Sequence, residues 1–129
     1  MLLDQSFLDN LSAQAVDNSR LRQAYDLRTS AEDQSQRILN ALEPGTVVPI
    51  HRHRASAETL VVVRGRILQR LYNECGELVK SFEMTAGGKC SVLQIPAGQF
   101  HSLECLEAGT VIFEAKDGAY ASLDASDML

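Results

Sequence analysis

Tryptophan is missing from this chain, and histidine, proline and cysteine occur only three times each. The odd set of cysteines, Cys75, Cys90 and Cys105, contains no Cys-x-x-Cys pair and does not make a disulfide framework. A reduced, cytoplasmic setting is the expectation. Long hydrophobic runs are absent too: nothing approaches the roughly 18 consecutive apolar residues that a membrane span needs. The opening residues, Met1-Leu2-Leu3-Asp4-Gln5, have no basic stretch ahead of an apolar one, so no secretory leader is expected. Positive charge is also in short supply. Twelve Lys and Arg face seventeen Asp and Glu, for a net charge of −5. Such a chain is a poor candidate for nucleic-acid binding, which needs basic surface against phosphates.

What remains fits one domain. The chain has 129 residues, 45% hydrophobic and 22% charged, enough to bury a core without covalent staples. Residues 4–16 predict a helix, with Phe7, Leu8, Leu11 and Ala15 on one face and Asp4 or Ser6 as its cap. Ser19 is placed to cap a second short helix through Tyr25, and the polar residues 26–36 predict a loop. From Arg37 onward, short apolar runs alternate with turn residues. Strands are predicted over 37–43, 46–53, 58–64, 66–72, 77–83, 90–95, 100–106 and 110–116. Eight short strands suit a jelly roll, an all-β fold closed around its own interior. The expected organisation is a helical extension, residues 1–36, packed on a barrel of residues 37–129 that ends in a polar tail, all within one structural domain.

The histidines carry the chemistry. His51 and His53 are two residues apart, which on a strand places both on one face. Glu58 opens the very apolar run Thr59-Leu60-Val61-Val62-Val63, where an inward carboxylate needs a buried partner or a metal. His101 follows the turn Pro96-Ala97-Gly98. A His-x-His pair alone says little. Together, His51, His53, Glu58 and His101 form a nitrogen and oxygen set suited to one divalent transition metal, with positions left open for water or substrate.

The full spacing is more specific. Gly45, His51-x-His53, Glu58 and Gly65, followed by Pro96-x-Gly98 and His101, resemble the two conserved motifs of the cupin superfamily. That resemblance implies a cupin double-stranded β-helix, a jelly-roll barrel with a short α-helical N-terminal extension. It also implies that His51, His53, Glu58 and His101 ligate the metal, which is Fe, Mn, Ni, Co or Zn. The chain departs from the pattern at Cys90, where glycine is usual, and at Cys105, where asparagine is usual. Neither position is a ligand. The helical start, the segments Arg20–Tyr25 and Gln36–Gly45, and the ending Phe113–Tyr120 are similar to the WbuC family of cupin-fold metalloproteins. Members of that family are associated with surface-polysaccharide gene clusters.

Charge supplies a ligand class. Residues 37–70 hold six arginines against Glu43 and Glu58, a local charge of +4. Their ordinary role is a solvated, ion-paired surface. The functional expectation is that Arg37 and Arg64 border the barrel mouth and bind a small anionic or carbohydrate ligand through the planar guanidinium fork. Three functions follow from an open metal site: an isomerase- or epimerase-like metalloenzyme acting on a sugar or sugar nucleotide, a metal-dependent oxygenase, or a non-catalytic sugar- or metal-binding module. Similar cupins pair as homodimers, and the sheet edges call for cover.

Overall fold

In the computed structural model, which describes all 129 residues, the first helix is α1, Gln5–Asp17. Asp4 caps it, its side chain accepting a hydrogen bond from the Phe7 backbone at 3.0 Å. The buried stripe Leu8, Leu11 and Ala15 packs on Leu39, Ala41 and Val111, the outer face of a sheet.

Eight strands follow: β1 (Arg22–Asp26), β2 (Ser35–Leu42), β3 (Glu58–Arg64), β4 (Arg66–Tyr72), β5 (Leu78–Thr85), β6 (Val92–Ile95), β7 (Phe100–Cys105) and β8 (Thr110–Asp117). They form two antiparallel sheets, a five-stranded one in the order β1-β2-β8-β3-β6 and a three-stranded one in the order β5-β4-β7. The jelly-roll architecture expected from the sequence is present. The closed barrel is not, because the two sheets share no continuous ladder.

Two predicted elements are corrected. The second helix, Ser19 to Tyr25, is instead a turn leading into β1, which pairs along β2 from Arg22↔Leu42 to Asp26↔Ile38. The predicted strand 46–53 is irregular chain touching the sheets only through isolated bridges, His51↔His101 and His51↔Met128. Pro49 removes a backbone donor from the middle of that segment, so a ladder cannot run through it.

Alternation along the strands builds the interior. Leu60 and Val62 of β3, Ile67 of β4, Met84 of β5, Cys105 of β7 and Ile112 of β8 meet between the sheets with Leu42. Gly65 joins β3 to β4 with φ +84°, and a Cβ there would collide with Thr110. The tail does not fray. A 3-10 turn, Ala125–Asp127, carries the chain back so that Leu129 N donates to Ile50 O at 3.0 Å.

Candidate metal centre

Irregular backbone delivers two of the three histidines, and hydrogen bonds fix it. His51 N donates to His101 O at 3.1 Å, and His101 N returns a bond to His51 O at 2.8 Å. His53 O accepts from Gly98 N at 2.8 Å, so the Pro96-Ala97-Gly98 turn holds the first histidine segment against the second. On the other side, Arg52 N donates to Asp127 O at 2.9 Å, while the Arg52 and Arg54 guanidinium groups both grip the Asp127 carboxylate. Arg52 also lies over the Phe100 ring, 4.6 Å from its centroid. Both arginines bind the tail.

Three imidazoles converge. Ligating atoms of His51, His53 and His101 lie within 4.8 Å of one another, a geometry suited to holding one metal ion. His51 Nδ1 sits 2.8 Å from Pro49 O, and His101 Nδ1 sits 2.8 Å from Gln99 O. A carbonyl only accepts, so each Nδ1 carries a proton, and in the neutral ring each Nε2 turns a lone pair inward. His53 Nε2 is buried and has no hydrogen-bond partner at all. An orphaned buried nitrogen beside two inward lone pairs is costly unless something electrophilic occupies the space between them. The donor set therefore fits a divalent metal. Burial lowers the pKa of His51, with a further push from His101, and burial together with Lys116 lowers that of His53 to about 4. Deprotonated imidazole is the form that binds metal.

Glu58 lies beside this group, 3.7 Å from His53 Nε2 and 3.5 Å from His101 Nε2, and is 3% exposed. Its Oε1 accepts a hydrogen bond from Lys116 Nζ at 3.0 Å. Burial pushes the carboxyl up, but contact with His101 and the charge of Lys116 outweigh it and hold Glu58 well below the usual carboxylate range. Lys116 also lies 3.8 Å from Glu114, whose carboxylate accepts from Asn40 Nδ2 at 3.0 Å. Burial and the neighbouring Glu58 charge push Glu114 up to about 7. Sequence reasoning missed Lys116 and Glu114. The alternation Ile112, Glu114, Lys116 along β8, read from its apolar start, places both on the inner face.

Two cavities of about 390 Å³ each open onto the centre, and His51 and Tyr120 line both. One is bordered by Arg20, Arg22, Asn40, His101 and Glu114. The other is bordered by His53, Arg54, Lys116 and the tail.

The structure does not bring the expected anion-binding pair, Arg37 and Arg64, to either cavity. Arg37 is spent on Ser35 O, Leu27 O and Asp33. Arg64 binds Asp9, Gln5 and Ser12 of α1 together with Gly109 O. Strict alternation from Glu58 predicts an inward Arg64, but the β3–β8 register shifts between Val62 and Arg64. That bulge turns the side chain to the helix side. Cys75 is exposed in a hairpin, Cys90 is half-buried and Cys105 is buried.

Solved cupin-fold structures are similar to this chain in three dimensions. KdgF from Halomonas sp. superposes with a TM-score of 0.61 at 13% identity, over 75% of this chain and 80% of that one. The Cnp3 cupin domain of Schizosaccharomyces pombe gives 0.61 at 13% identity, over 75% of this chain and 64% of that one. Bacillus subtilis oxalate decarboxylase, in a structure concerned with its Mn(II) centres, gives 0.60 at 20% identity, over 78% of this chain and 26% of that one. At these identities the likeness shows the fold. No curated protein matches the chain in sequence. A family profile described as a domain of unknown function, DUF6016, matches residues 3–84.

Proposed function

The chain belongs to the DUF6016 family; starting from that membership and from the cupin fold, we propose that it is a metal-binding cupin that works as a small isomerase- or epimerase-like metalloenzyme on a sugar or sugar nucleotide in surface-polysaccharide biosynthesis. The observation that carries the metal-binding part is the orphaned Nε2 of His53 between the inward nitrogens of His51 and His101. The resemblance to the WbuC family supports the carbohydrate part.

In this reading His51, His53 and His101 would hold a divalent transition metal (Fe, Mn, Ni, Co or Zn), with Glu58 completing the set, and a bound ion would supply Lewis acidity to a substrate oxygen. Lys116 keeps Glu58 ionised and orients it through their 3.0 Å bond. Lys116 and Glu114 are the groups beside the centre that are placed to give or take a substrate proton. Tyr120 lines both cavities. The same reading includes a homodimer, formed by covering one of the free sheet edges β1, β5, β6 or β7.

The test begins with metal content, by mass spectrometry, of protein purified without a histidine tag or chelator, beside a His51→Ala/His101→Ala variant. Metal that is present in the wild type and lost in the variant supports the site. No metal after reconstitution with each ion sinks it. The loaded protein is then incubated with sugar nucleotides in deuterium oxide, where an isomerase or epimerase incorporates deuterium at carbon. Oxygen uptake after ferrous loading, with no deuterium incorporation, transfers the assignment to an oxygenase. Saturable binding with neither result leaves a non-catalytic module.

A further inference from the structure

Seven of the nine arginines are ion-paired with a carboxylate. The two that are not, Arg20 and Arg22, line one cavity, and it is the cavity that reaches His51 and His101. Neither guanidinium donates a hydrogen bond within the chain. Burial and the neighbouring Arg20 charge lower the pKa of Arg22, and the charge of Glu114 offsets this only in part. The acid in the same cavity, Glu114, is already engaged by Asn40 and Lys116.

The backbone between the arginines is held in an unusual conformation. Leu21 has φ +57° and is the one non-glycine residue in the left-handed region. That conformation disfavours a residue with a Cβ and persists where surrounding contacts enforce it. Here they do. Leu21 N donates to Asn18 O at 2.9 Å, Glu43 N donates to Leu21 O at 3.0 Å, and Thr46 Oγ1 donates to Arg20 O at 2.8 Å. The turn that breaks the expected second helix thus fixes the chain that carries both arginines along the cavity wall.

We propose that Arg20 and Arg22 form an oxyanion site, taking the phosphate or carboxylate of a small-molecule ligand whose remainder extends along the cavity toward His51 and His101. Two planar guanidinium groups offer several N–H donors to such a group, and a negative charge relieves their mutual repulsion. The direction of the ligand rests on the reading of the histidines as a metal centre. The oxyanion site itself does not.

The experiment titrates inorganic phosphate, and separately acetate, into metal-free and metal-loaded full-length protein, followed by calorimetry and by backbone amide shifts. Saturable binding that shifts residues 20–22 and 43–46, weakened at least tenfold in Arg22→Gln and abolished in Arg20→Gln/Arg22→Gln, supports the proposal. Arg70→Gln, which removes a cation paired to Glu104 elsewhere, should bind as the wild type does. Equal binding by the double variant, or no saturable binding of either anion, overturns it. Preference for phosphate or for acetate identifies the ligand class. Phosphate binding that survives in His51→Ala/His101→Ala, with metal lost, separates this site from the metal centre. A failure of the metal reading then leaves the oxyanion site standing.

Discussion

The two ends of the space between the sheets are built from the same strands yet do opposite things. β3 places Leu60 and Val62 in a dry core and Glu58 beside the histidines. β8 places Ile112 in the core, then Glu114 and Lys116 at the open end. β7 contributes Cys105 to one and His101 to the other. Each strand changes from apolar to ionisable residues without leaving its inner face. The alternation that buries a core therefore also aims the chemistry, and the packed end supplies the rigidity that keeps ligands in place.

The sharpest way to break this comparison is Lys116→Met. It leaves the Glu58 carboxylate buried without its ammonium partner and should cost about 3–5 kcal/mol in chemical denaturation of metal-free protein. Glu58 has a depressed pKa in the folded state, so this contribution is full above the ordinary value of 4.5 and is lost as pH falls below it. A cost no greater than that of a surface substitution would show that Glu58 does not depend on Lys116.

Next come paired truncations, one at each end. Leu60→Ala should destabilise by about 2–5 kcal/mol while the folded fraction keeps its metal. His51→Ala/His101→Ala should reduce bound metal to background and cost metal-free protein the part of its stability that Glu58 draws from His101. If both variants lose metal and stability alike, the ends are not separable.

A smaller effect appears on acidification. His53 has a depressed pKa in the folded state, so the unfolded chain takes up its proton first. Metal-free protein should lose stability as pH falls from 6.5 toward about 4, with no further loss from this group below that. The expected size is on the order of 2 kcal/mol, read as the difference between wild type and His53→Ala across the pH range. Taking the difference isolates His53 from Glu114, whose raised pKa acts with the opposite sign. A pH-independent difference would mean that His53 is not desolvated.

The smallest effects lie outside both ends. Arg64→Ala should loosen α1 by about 1 kcal/mol, through lost bonds to Asp9 and Ser12. Arg37→Ala should be similar or milder. Neither should alter metal content or phosphate affinity. A change in either reading would return these residues to the site.

The site was legible in the sequence where a side chain's neighbours along the chain decide its role. The three histidines and Glu58 are drawn together from two motifs 43 residues apart, and β3 and β4 have the predicted bounds. Other features depend on partners distant in sequence. β1, Arg-Gln-Ala-Tyr-Asp, has no apolar alternation of its own and is a strand because β2 pairs with it. The facing of Arg64 depends on a bulge opposite Val111, which no local pattern in β3 reveals. The segment 46–53 has the apolar texture of a strand, but Pro49 and the lack of a neighbouring ladder leave only the bridges at His51. The tail reads only as polar, and is docked through Asp127, which Arg52 and Arg54 share.

The carbonyl bonds to His51 and His101 have a thermodynamic consequence. Each of these two rings is set by a residue two positions earlier in its own segment, Pro49 or Gln99, so neither has to flip when an ion arrives. Uptake then adds to stability by mass action, as RT ln(1 + [L]/Kd). The rise in melting temperature with free ion concentration should follow that logarithm for each candidate ion. A series of thermal scans would then rank the ions by affinity with no assay of turnover.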